Sequence, residues 1–420
     1  MALRRWLAAI TAITLVAGCE ENPPPRTATR APPATTTSRA PVVLLDLETP
    51  WAATTPEASG LARPALEVLV RQAEESGSDA LLVLVGDRVV VARSFGRTPA
   101  ALDTKSVTKG FVGLAIGFLI AEGKLTLDQP LSTWFPEWKD GPKAKVLLRH
   151  VVTHTSGLSH EPMAWKLESH DDRLGYVRGL PLATDPGATF SYNNEATMLL
   201  SGVVAAAAGE PIDAYLQPRL FAPLGITDAK WARDPAGNVT TNGGLSMSAM
   251  SLAKIGLALR DRRVVPTAWV VAMQEPSPKA SWVGLLTFLT YDGWTVQSAP
   301  LRTRLGRNGF DAAVKLAPLD GKRFVTSTGY WMAASELLAP DERKLLGSIM
   351  RDDLVPFERE SGPQVGFNWS GWLGQWLAVF PKAGVVAVRQ RRQPPKLDDS
   401  LIAQIEMGNF VSLVRAALPP

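Results

Sequence analysis

Short hydrophobic runs near both ends of this chain have the composition of β-strands. Residues Ala80 to Val85 and Arg88 to Ser94 are rich in valine and leucine, and the Gly-Asp dipeptide between them predicts a hairpin. A second pair of runs, Gln375 to Phe380 and Val385 to Gln390, flanks a turn that contains proline and glycine. The pattern therefore predicts strand pairs near both ends of the chain.

Longer segments carry apolar residues three and four positions apart, which is the spacing of a helix. The first predicted helix has apolar residues at 66, 69, 70 and 73 and ends at Gly77. Two further helices are predicted over 110–119 and 252–259. The last predicted helix runs from about Asp399 to Leu418. Strands and a helix at both ends, around a largely helical middle, predict an α+β fold. We expect one antiparallel sheet built from both chain ends, an inserted helical lobe, and an active site between the two.

The beginning of the chain has the layout of a secretory signal. Arg4 and Arg5 precede an apolar run from Leu7 to Val16 that is too short to span a bilayer. Small residues then lead to Cys19, and residues 16–19 resemble the bacterial lipobox. That resemblance implies cleavage before Cys19 and attachment of lipid to it. The expected location is therefore outside the cytoplasm, with a lipid anchor holding the protein in the bacterial cell envelope.

The next segment predicts a tether rather than a folded element. Residues from Glu20 to about Pro41 are mostly Pro, Thr, Ala and Arg, so they cannot bury enough apolar surface to offset the entropy of ordering the chain. The expected organisation is a signal peptide over 1–18, a disordered Pro/Thr-rich tether over 19–42 and a folded domain over 43–420.

Composition excludes several classes of function. The chain has 420 residues, of which 46% are hydrophobic and 20% charged, as in ordinary globular proteins. Its formal charge of +4 is not concentrated in a basic run interleaved with aromatic residues, so no nucleic-acid partner is expected. Its single cysteine excludes an internal disulfide framework and a cysteine-based zinc site. The four histidines lack recognisable zinc spacing, and neither a metal nor an organic cofactor is expected.

Candidate chemistry begins with Ser106 and Lys109. Ser106 lies at the predicted start of a helix, and residues three apart share one helix face, so the Lys109 amine can reach the Ser106 hydroxyl. A serine is a poor nucleophile until a neighbouring base takes its proton. A Ser-x-x-Lys pattern is weak alone, and a second one occurs at Ser251 and Lys254. We interpret Ser251 as the N-cap of its own helix.

A wider set of residues distinguishes Ser106. The only Tyr-x-Asn of the chain lies at Tyr192 to Asn194, before another predicted helix. Together with Ser106 and Lys109 it resembles the penicillin-recognising serine hydrolases, specifically the class C β-lactamase-like family of β-lactamases, D-Ala-D-Ala peptidases, esterases and linear-amide hydrolases. The segments LLRHVVTHTSGL at 147–158 and GGLSMS at 243–248 extend the resemblance. It implies a β-lactamase/transpeptidase-like fold for the domain over 43–420.

The resemblance also implies roles for individual residues. Ser106 would be the acylated nucleophile, Lys109 and Tyr192 the proton-transfer pair, and Asn194 a donor to the substrate amide. An ordinary tyrosine is a poor base at neutral pH, so Tyr192 would act as a phenolate stabilised by Lys109 or as a relay. No Gly-x-Ser-x-Gly elbow occurs, which argues against an α/β-hydrolase.

The third motif of the family is usually Lys-Thr-Gly or His-Thr-Gly, and this chain departs from it. The best match is Trp369-Ser370-Gly371, taken as substrate-binding, and the backbone N–H of Trp372 would form the oxyanion hole with that of Ser106. A rival match lies at 326–329. Because Trp369 replaces the usual cation or imidazole, a substrate carboxylate has no evident partner, and Arg307 and Arg389 are only guesses for one.

The expected function is hydrolysis of an ester or amide through an acyl-enzyme, with esterase or amidase activity favoured. The substrate would be a small-molecule ester, amide or peptide. Cell-wall D-Ala-D-Ala peptidase or β-lactamase activity is the alternative within the family. A catalytically silent envelope protein that keeps the fold as a binding module is the alternative of another class. The stretch 277–360 gives few strong periodicities.

Overall fold

The computed structural model describes residues 42–161, 165–296, 315–324, 327–343, 357–396 and 407–419. The predicted signal peptide, Cys19 and nearly all of the predicted tether lie outside the described residues. The strands are β1 Ala52–Ala53, β2 Ala80–Val85, β3 Arg88–Arg93, β4 Leu102–Asp103, β5 Lys230–Trp231, β6 Leu245–Met247, β7 Phe288–Val296, β8 Arg323–Phe324, β9 Phe357–Gly371, β10 Gln375–Phe380 and β11 Val385–Gln390. The helices are α1 Pro56–Ser59, α2 Arg63–Glu75, α3 Thr108–Ala121, α4 Leu148–Val152, α5 Trp165–Glu168, α6 Arg173–Gly179, α7 Asn194–Ala208, α8 Ile212–Leu216, α9 Ala249–Asp261, α10 Thr267–Ala272, α11 Ser327–Leu337 and α12 Phe410–Ala416.

The main sheet joins the two ends of the chain as predicted. Its strand order is β1-β3-β2-β11-β10-β9-β7-β8. Strand β2 pairs antiparallel with β11, so that Val85 lies opposite Val385. Both predicted hairpins form, β2 with β3 and β10 with β11. The sheet is mixed rather than wholly antiparallel, because the two-residue β1 runs parallel to β3.

The sheet buries both of its faces, which explains its continuous apolar strands. On one face Leu66 and Leu69 of α2 and Phe410 of α12 pack against alternate residues of the central strands. On the other face, the residues that point the opposite way pack against α3, α9 and the helical lobe. Strands buried on both sides read as hydrophobic runs instead of an alternating pattern. The α+β architecture is confirmed.

A second, three-stranded sheet of order β4-β6-β5 was not predicted from the sequence. Its strands have only two or three residues, too few to show a period of two. Leu102 of β4 pairs with Met247 of β6, and Asp103 pairs with Ser246. This small sheet matters for the site because it places the segment before Ser106 beside residues 243–247.

The stretch that gave few sequence signals contains the outer part of the sheet. Strands β7 and β9 pair antiparallel with three register shifts, which blur the alternation that would have predicted them. The rival third motif at 326–329 is wrong: helix α11 begins at Ser327, whereas the motif requires a strand, and residue 326 lies outside the described residues. The last predicted helix forms as Phe410–Ala416, while residues 397–406 of its expected range are not described.

No single helix in the described ranges has both the length and the apolar character of a membrane span. The helices Asn194–Ala208 and Ile212–Leu224 meet those criteria only as a pair, with a bend of 63° between them.

Candidate active site

Ser106 lies in a 3₁₀ turn, Lys105–Val107, that leads directly into α3. The turn is attached to strand β6, because Thr104 Oγ1 donates a hydrogen bond to the carbonyl of Leu245 at 2.8 Å. Lys105 has a φ of 53°, in the left-handed region that side-chain-bearing residues rarely adopt. The sharp turn leaves Ser106 half-buried at the N-terminal end of a helix, where backbone N–H groups have no partner within the helix.

The Lys109 amine contacts the nucleophile. Its Nζ lies 3.0 Å from Ser106 Oγ, 2.8 Å from Asn194 Oδ1 and 2.6 Å from the carbonyl oxygen of Asn242. The two asparagine oxygens can only accept hydrogen bonds, so two amine hydrogens point to them. The third position of the nitrogen faces Ser106, where an ammonium holds a proton and a neutral amine holds a lone pair. Lys109 is therefore aimed at the serine hydroxyl by two fixed acceptors.

Tyr192 presents its ring to the Lys109 amine. The amine is 5.1 Å from the centre of the Tyr192 ring. The ring is held between two others, His154 at 4.5 Å and Phe288 at 6.3 Å between centroids. The structure thus brings together Ser106, Lys109, Tyr192 and Asn194, all of which were predicted.

His154 was not predicted to be part of the site. Its side chain is buried, its Nδ1 accepts from the backbone N–H of Asn193 at 3.2 Å, and its carbonyl accepts from the N–H of Ser191 at 2.8 Å. Burial and, secondarily, the positive charge of Lys109 lower the pKa of His154 to about 3. The histidine is therefore a neutral acceptor that fixes the segment carrying Tyr192.

The Tyr-x-Asn segment is also fixed by its middle residue. Asn193 is the N-cap of α7, where its Oδ1 accepts from the N–H of Ala196 at 2.7 Å. Its Nδ2 donates to the carbonyl of Leu158 at 2.8 Å. Because both ends of the Asn193 amide are used, Tyr192 and Asn194 on either side of it are held in place at the start of a helix.

Trp369 fills the position where a cation or imidazole was expected. Its indole N–H donates to Thr287 Oγ1 at 2.9 Å, and only 2% of the side chain is exposed. The ring lies against α3, with its centroid 5.4 Å from that of Phe111. A Cβ at Gly110 would come within 2.1 Å of the indole, so only glycine permits this packing. Trp369 therefore belongs to the wall of the site and offers no free donor to a substrate.

Gly371 brings the end of β9 against the turn that carries the nucleophile. A Cβ at this position would lie 2.4 Å from the carbonyl oxygen of Thr104 and 3.0 Å from Cβ of Lys105. The hairpin turn between β9 and β10 begins at Trp372, directly after this contact. The backbone of Trp372 is thereby placed beside the Ser106 turn, which the predicted oxyanion hole requires.

A small cavity of about 10 Å³ lies beside Ser106. Lys109, Tyr192 and His154 line it together with Trp369 and Ser370 of β9. The remaining lining residues come from residues 283–288, the segment that ends at the first residue of β7, which we call the wall loop. A cavity of this size holds about one water molecule.

The second Ser-x-x-Lys pattern is structural. Ser251 Oγ donates to Asp228 Oδ1 at 2.6 Å, and Lys254 donates to the carbonyl of Gly225 at 2.8 Å, so the two side chains are engaged elsewhere. The prediction that Ser251 caps its helix was wrong in detail. Ser248 is the N-cap and accepts from the N–H of Ser251, because the helix begins two residues before Ser251.

Arg389, one of the two arginines considered as carboxylate partners, does not form such a site. Arg389 is fully buried and donates to Ser78 Oγ, Ser76 Oγ and the carbonyl of Gly374, so it braces the sheet and does not face the cavity. Arg307 lies outside the described residues. Within the described ranges, no group of three or more His, Cys, Asp or Glu side chains is arranged to hold a metal ion.

Comparison with known proteins points to one family. The Beta-lactamase family model matches residues 66–405. Esterase EstB of Burkholderia gladioli is 36% identical over 147 residues, which cover 29% of this chain and 36% of the esterase. The 6-aminohexanoate-dimer hydrolase of Paenarthrobacter ureafaciens is 29% identical over 229 residues, which cover 49% of this chain and 57% of the hydrolase. The chain thus spans between about a third and somewhat more than half of the length of these curated relatives.

Two solved structures share the fold. A penicillin binding protein from Bacillus halodurans has a TM-score of 0.52 at 18% identity, covering 78% of this chain and 95% of its own. EstCE1, a hydrolase with promiscuous acyltransferase activity, has a TM-score of 0.54 at 16% identity, covering 87% of this chain and 99% of its own.

Proposed function

Because this chain belongs to the beta-lactamase family, we propose that it is a serine hydrolase that cleaves an ester or amide through an acyl-enzyme on Ser106. The observation that carries the proposal is the contact of 3.0 Å between Lys109 Nζ and Ser106 Oγ, with the amine oriented by Asn194 and Asn242. A serine becomes an effective nucleophile when such a base is in reach.

Acylation follows from this arrangement. Ser106 Oγ attacks the substrate carbonyl while its proton passes to the pair formed by Lys109 and Tyr192. The same pair then gives a proton to the leaving oxygen or nitrogen as its bond to the carbonyl carbon breaks. In the second half of the reaction a water molecule takes the place of the leaving group, and the proton movements reverse.

The backbone N–H groups of Ser106 and Trp372 would stabilise the negative oxygen of the tetrahedral intermediate. The close packing of Gly371 on Thr104 supports this role, since it holds the two backbone segments together. Loss of one donor of this kind costs about 3 to 4 kcal/mol of transition-state stabilisation. Because backbone groups supply the interaction, the replacement of the usual third motif leaves it intact.

Trp369 favours an uncharged substrate over a β-lactam or a D-amino-acid peptide. The indole is buried and its N–H is already bonded to Thr287, so no positive charge from this position can meet a substrate carboxylate. A carboxylate without a partner in a partly apolar cleft pays a desolvation penalty. Two relatives, named Esterase EstB and 6-aminohexanoate-dimer hydrolase, support an esterase or amidase.

The test is intact-protein mass spectrometry of the soluble form that begins after Cys19. We expect a fluorophosphonate to add one covalent adduct that Ser106→Ala lacks, and penicillin to add none. Ser251→Ala serves as the matched control, because its pattern is the same and its side chain is bonded to Asp228. A penicillin adduct would move the assignment to β-lactam or cell-wall chemistry. Absence of any adduct would favour a binding module of the same fold.

We further propose that the protein is exported and lipid-anchored through Cys19. The support is the sequence of residues 1–19, with its positive, apolar and small-residue segments in the order of a lipoprotein signal. Expression in a bacterium with radioactive palmitate should label the wild type and leave Cys19→Ser unlabelled. Equal labelling of both would contradict the assignment.

A further inference from the structure

The cavity beside Ser106 lies on the side of the site where a leaving group must be. The departing atom needs a proton from Lys109 or Tyr192, so it has to be within hydrogen-bond reach of that pair. Both residues line the cavity. Of the two proposed oxyanion donors, Ser106 lines the cavity beside this pair, and Trp372 is not among the lining residues. A leaving group that takes its proton from this pair would therefore enter the cavity.

The wall loop that closes this cavity is held by several hydrogen bonds. Gly284 donates its N–H to the carbonyl of Thr287 at 2.9 Å, and Leu286 donates its N–H to the carbonyl of Val152 at 2.8 Å. Thr287 accepts from the indole of Trp369. The loop is thus attached to α4 on one side and to β9 on the other, and its side chains form a fixed surface.

Leu286 has an unusual backbone within this loop. Its φ is 51°, a left-handed conformation that leucine adopts rarely and at an energetic cost. The side chain is 5% exposed and lies in the cavity wall. Such a conformation persists only where the surroundings hold it, and it is found most often at functional sites.

The size and chemistry of the cavity limit what it can accept. Its volume of about 10 Å³ matches one water molecule, and Val283, Leu286 and Phe288 make part of its lining apolar. A charged or bulky leaving group would lose its hydration or collide with the wall. Water itself fits, which suits the second half of the reaction.

We propose that the wall loop restricts the leaving group to a small uncharged alcohol and that Leu286 sets the size limit. This inference rests on the proposed function. In the acylation step the bond from Ser106 Oγ to the carbonyl carbon forms and the bond from that carbon to the alcohol oxygen breaks. The serine proton reaches the alcohol through Lys109 and Tyr192, and water later enters the same cavity to release the acid.

Two series of esters separate the cavity from the acyl site. The first keeps a butyryl group and varies the alcohol from methyl through ethyl and butyl to benzyl, and the second keeps the methyl alcohol and varies the acyl chain. Hydrolysis is followed by acid release at constant pH with the soluble form that begins after Cys19. We expect kcat/KM of the wild type to fall at least tenfold from methyl to butyl alcohol and to vary less along the acyl series.

Leu286→Ala should raise the ratio of butyl to methyl ester turnover at least tenfold. Leu286→Gly should do the same and also relieves the left-handed backbone, so it remains informative if the alanine variant folds poorly. Leu285→Ala is the matched control, because Leu285 is a neighbouring buried leucine that does not belong to the cavity lining. Its ratio should equal that of the wild type.

The inference is overturned if the acyl series shows the size limit, or if the Leu286 and Leu285 variants change the ratio equally. It is also overturned if neither Leu286 variant changes the ratio. A wild-type protein that neither hydrolyses any ester nor forms a fluorophosphonate adduct would overturn the proposed function itself, and the inference with it.

Discussion

The packing of Trp369 on Gly110 predicts that adding one methyl group at position 110 strongly destabilises the folded protein. In Gly110→Ala the added Cβ would lie 2.1 Å from the indole, far inside van der Waals contact. The indole is 2% exposed and bonded to Thr287, so it cannot move into solvent without breaking that bond. The methyl group must therefore push a large buried side chain out of a fitted position.

The magnitude combines two costs and one gain. Overpacking of a well-packed core costs about 1–3 kcal/mol, and leaving the indole N–H and Thr287 without partners costs a further 1–3 kcal/mol or so. Replacing glycine by alanine inside a helix gains up to about 1 kcal/mol. The free energy of unfolding of Gly110→Ala should therefore fall by about 1–6 kcal/mol.

Urea unfolding measured by tryptophan fluorescence gives this quantity. Gly113→Ala is the matched control on the same helix, because its Cβ would meet its nearest atom at 3.7 Å, an ordinary contact. It should be neutral or slightly more stable than the wild type. In Gly110→Ala/Trp369→His the smaller ring should recover part of the loss. Equal stability of the two alanine variants would refute the packing argument.

Three further predictions concern the site and its surroundings. Tyr192→Phe keeps the ring between His154 and Phe288 and removes the hydroxyl, so kcat should fall roughly 10²–10⁴-fold with little change in KM, as steady-state kinetics would show. The second prediction concerns His154, whose pKa is about 3 in the folded protein and 6.5 in an ordinary histidine. As the pH falls, the unfolded chain therefore binds a proton on this histidine before the folded protein does. The free energy of unfolding should then decrease below about pH 6.5. Between pH 6.5 and 5 this amounts to about 2 kcal/mol, and His154→Gln should remove that part of the pH dependence of urea unfolding. Ser251→Ala should lower the unfolding free energy by about 1–3 kcal/mol because Asp228 loses a donor, while ester hydrolysis stays at the wild-type rate.

The parts of the fold that were predictable have signals within a short stretch of sequence. Strands β2, β10 and β11 have their predicted bounds, since each is a continuous apolar run between turn residues. Helix α3 was predicted from its apolar spacing, and the four residues Ser106, Lys109, Tyr192 and Asn194 converge as the motifs implied. Their catalytic roles remain predictions.

The parts that were missed depend on contacts between distant segments. Asn242 accepts a hydrogen bond from Lys109 through its backbone carbonyl. Because any residue would supply that carbonyl, the residue type at 242 gives no sequence signal for this contact. His154 lies within the segment 147–158, yet only its contacts with Tyr192 and Asn193 in the folded chain show that it fixes the Tyr-x-Asn segment. Gly110 accommodates Trp369, but from the sequence alone a glycine within a predicted helix indicates only a lower helix propensity.

The pairing of β2 with β11 also bears on when the proposed active site can be completed. Val85 and Val385 are direct neighbours in the sheet although about 300 residues separate them. Strand β9, which ends just before Trp372, joins the same sheet by pairing with β10. Contacts between such distant segments form late, because a long loop must close before they can stabilise anything. In a chain that is still incomplete, Ser106 is already present, but the strand before Trp372, its proposed partner in the oxyanion hole, has not yet joined the sheet. The proposed hydrolysis would therefore require the complete sheet.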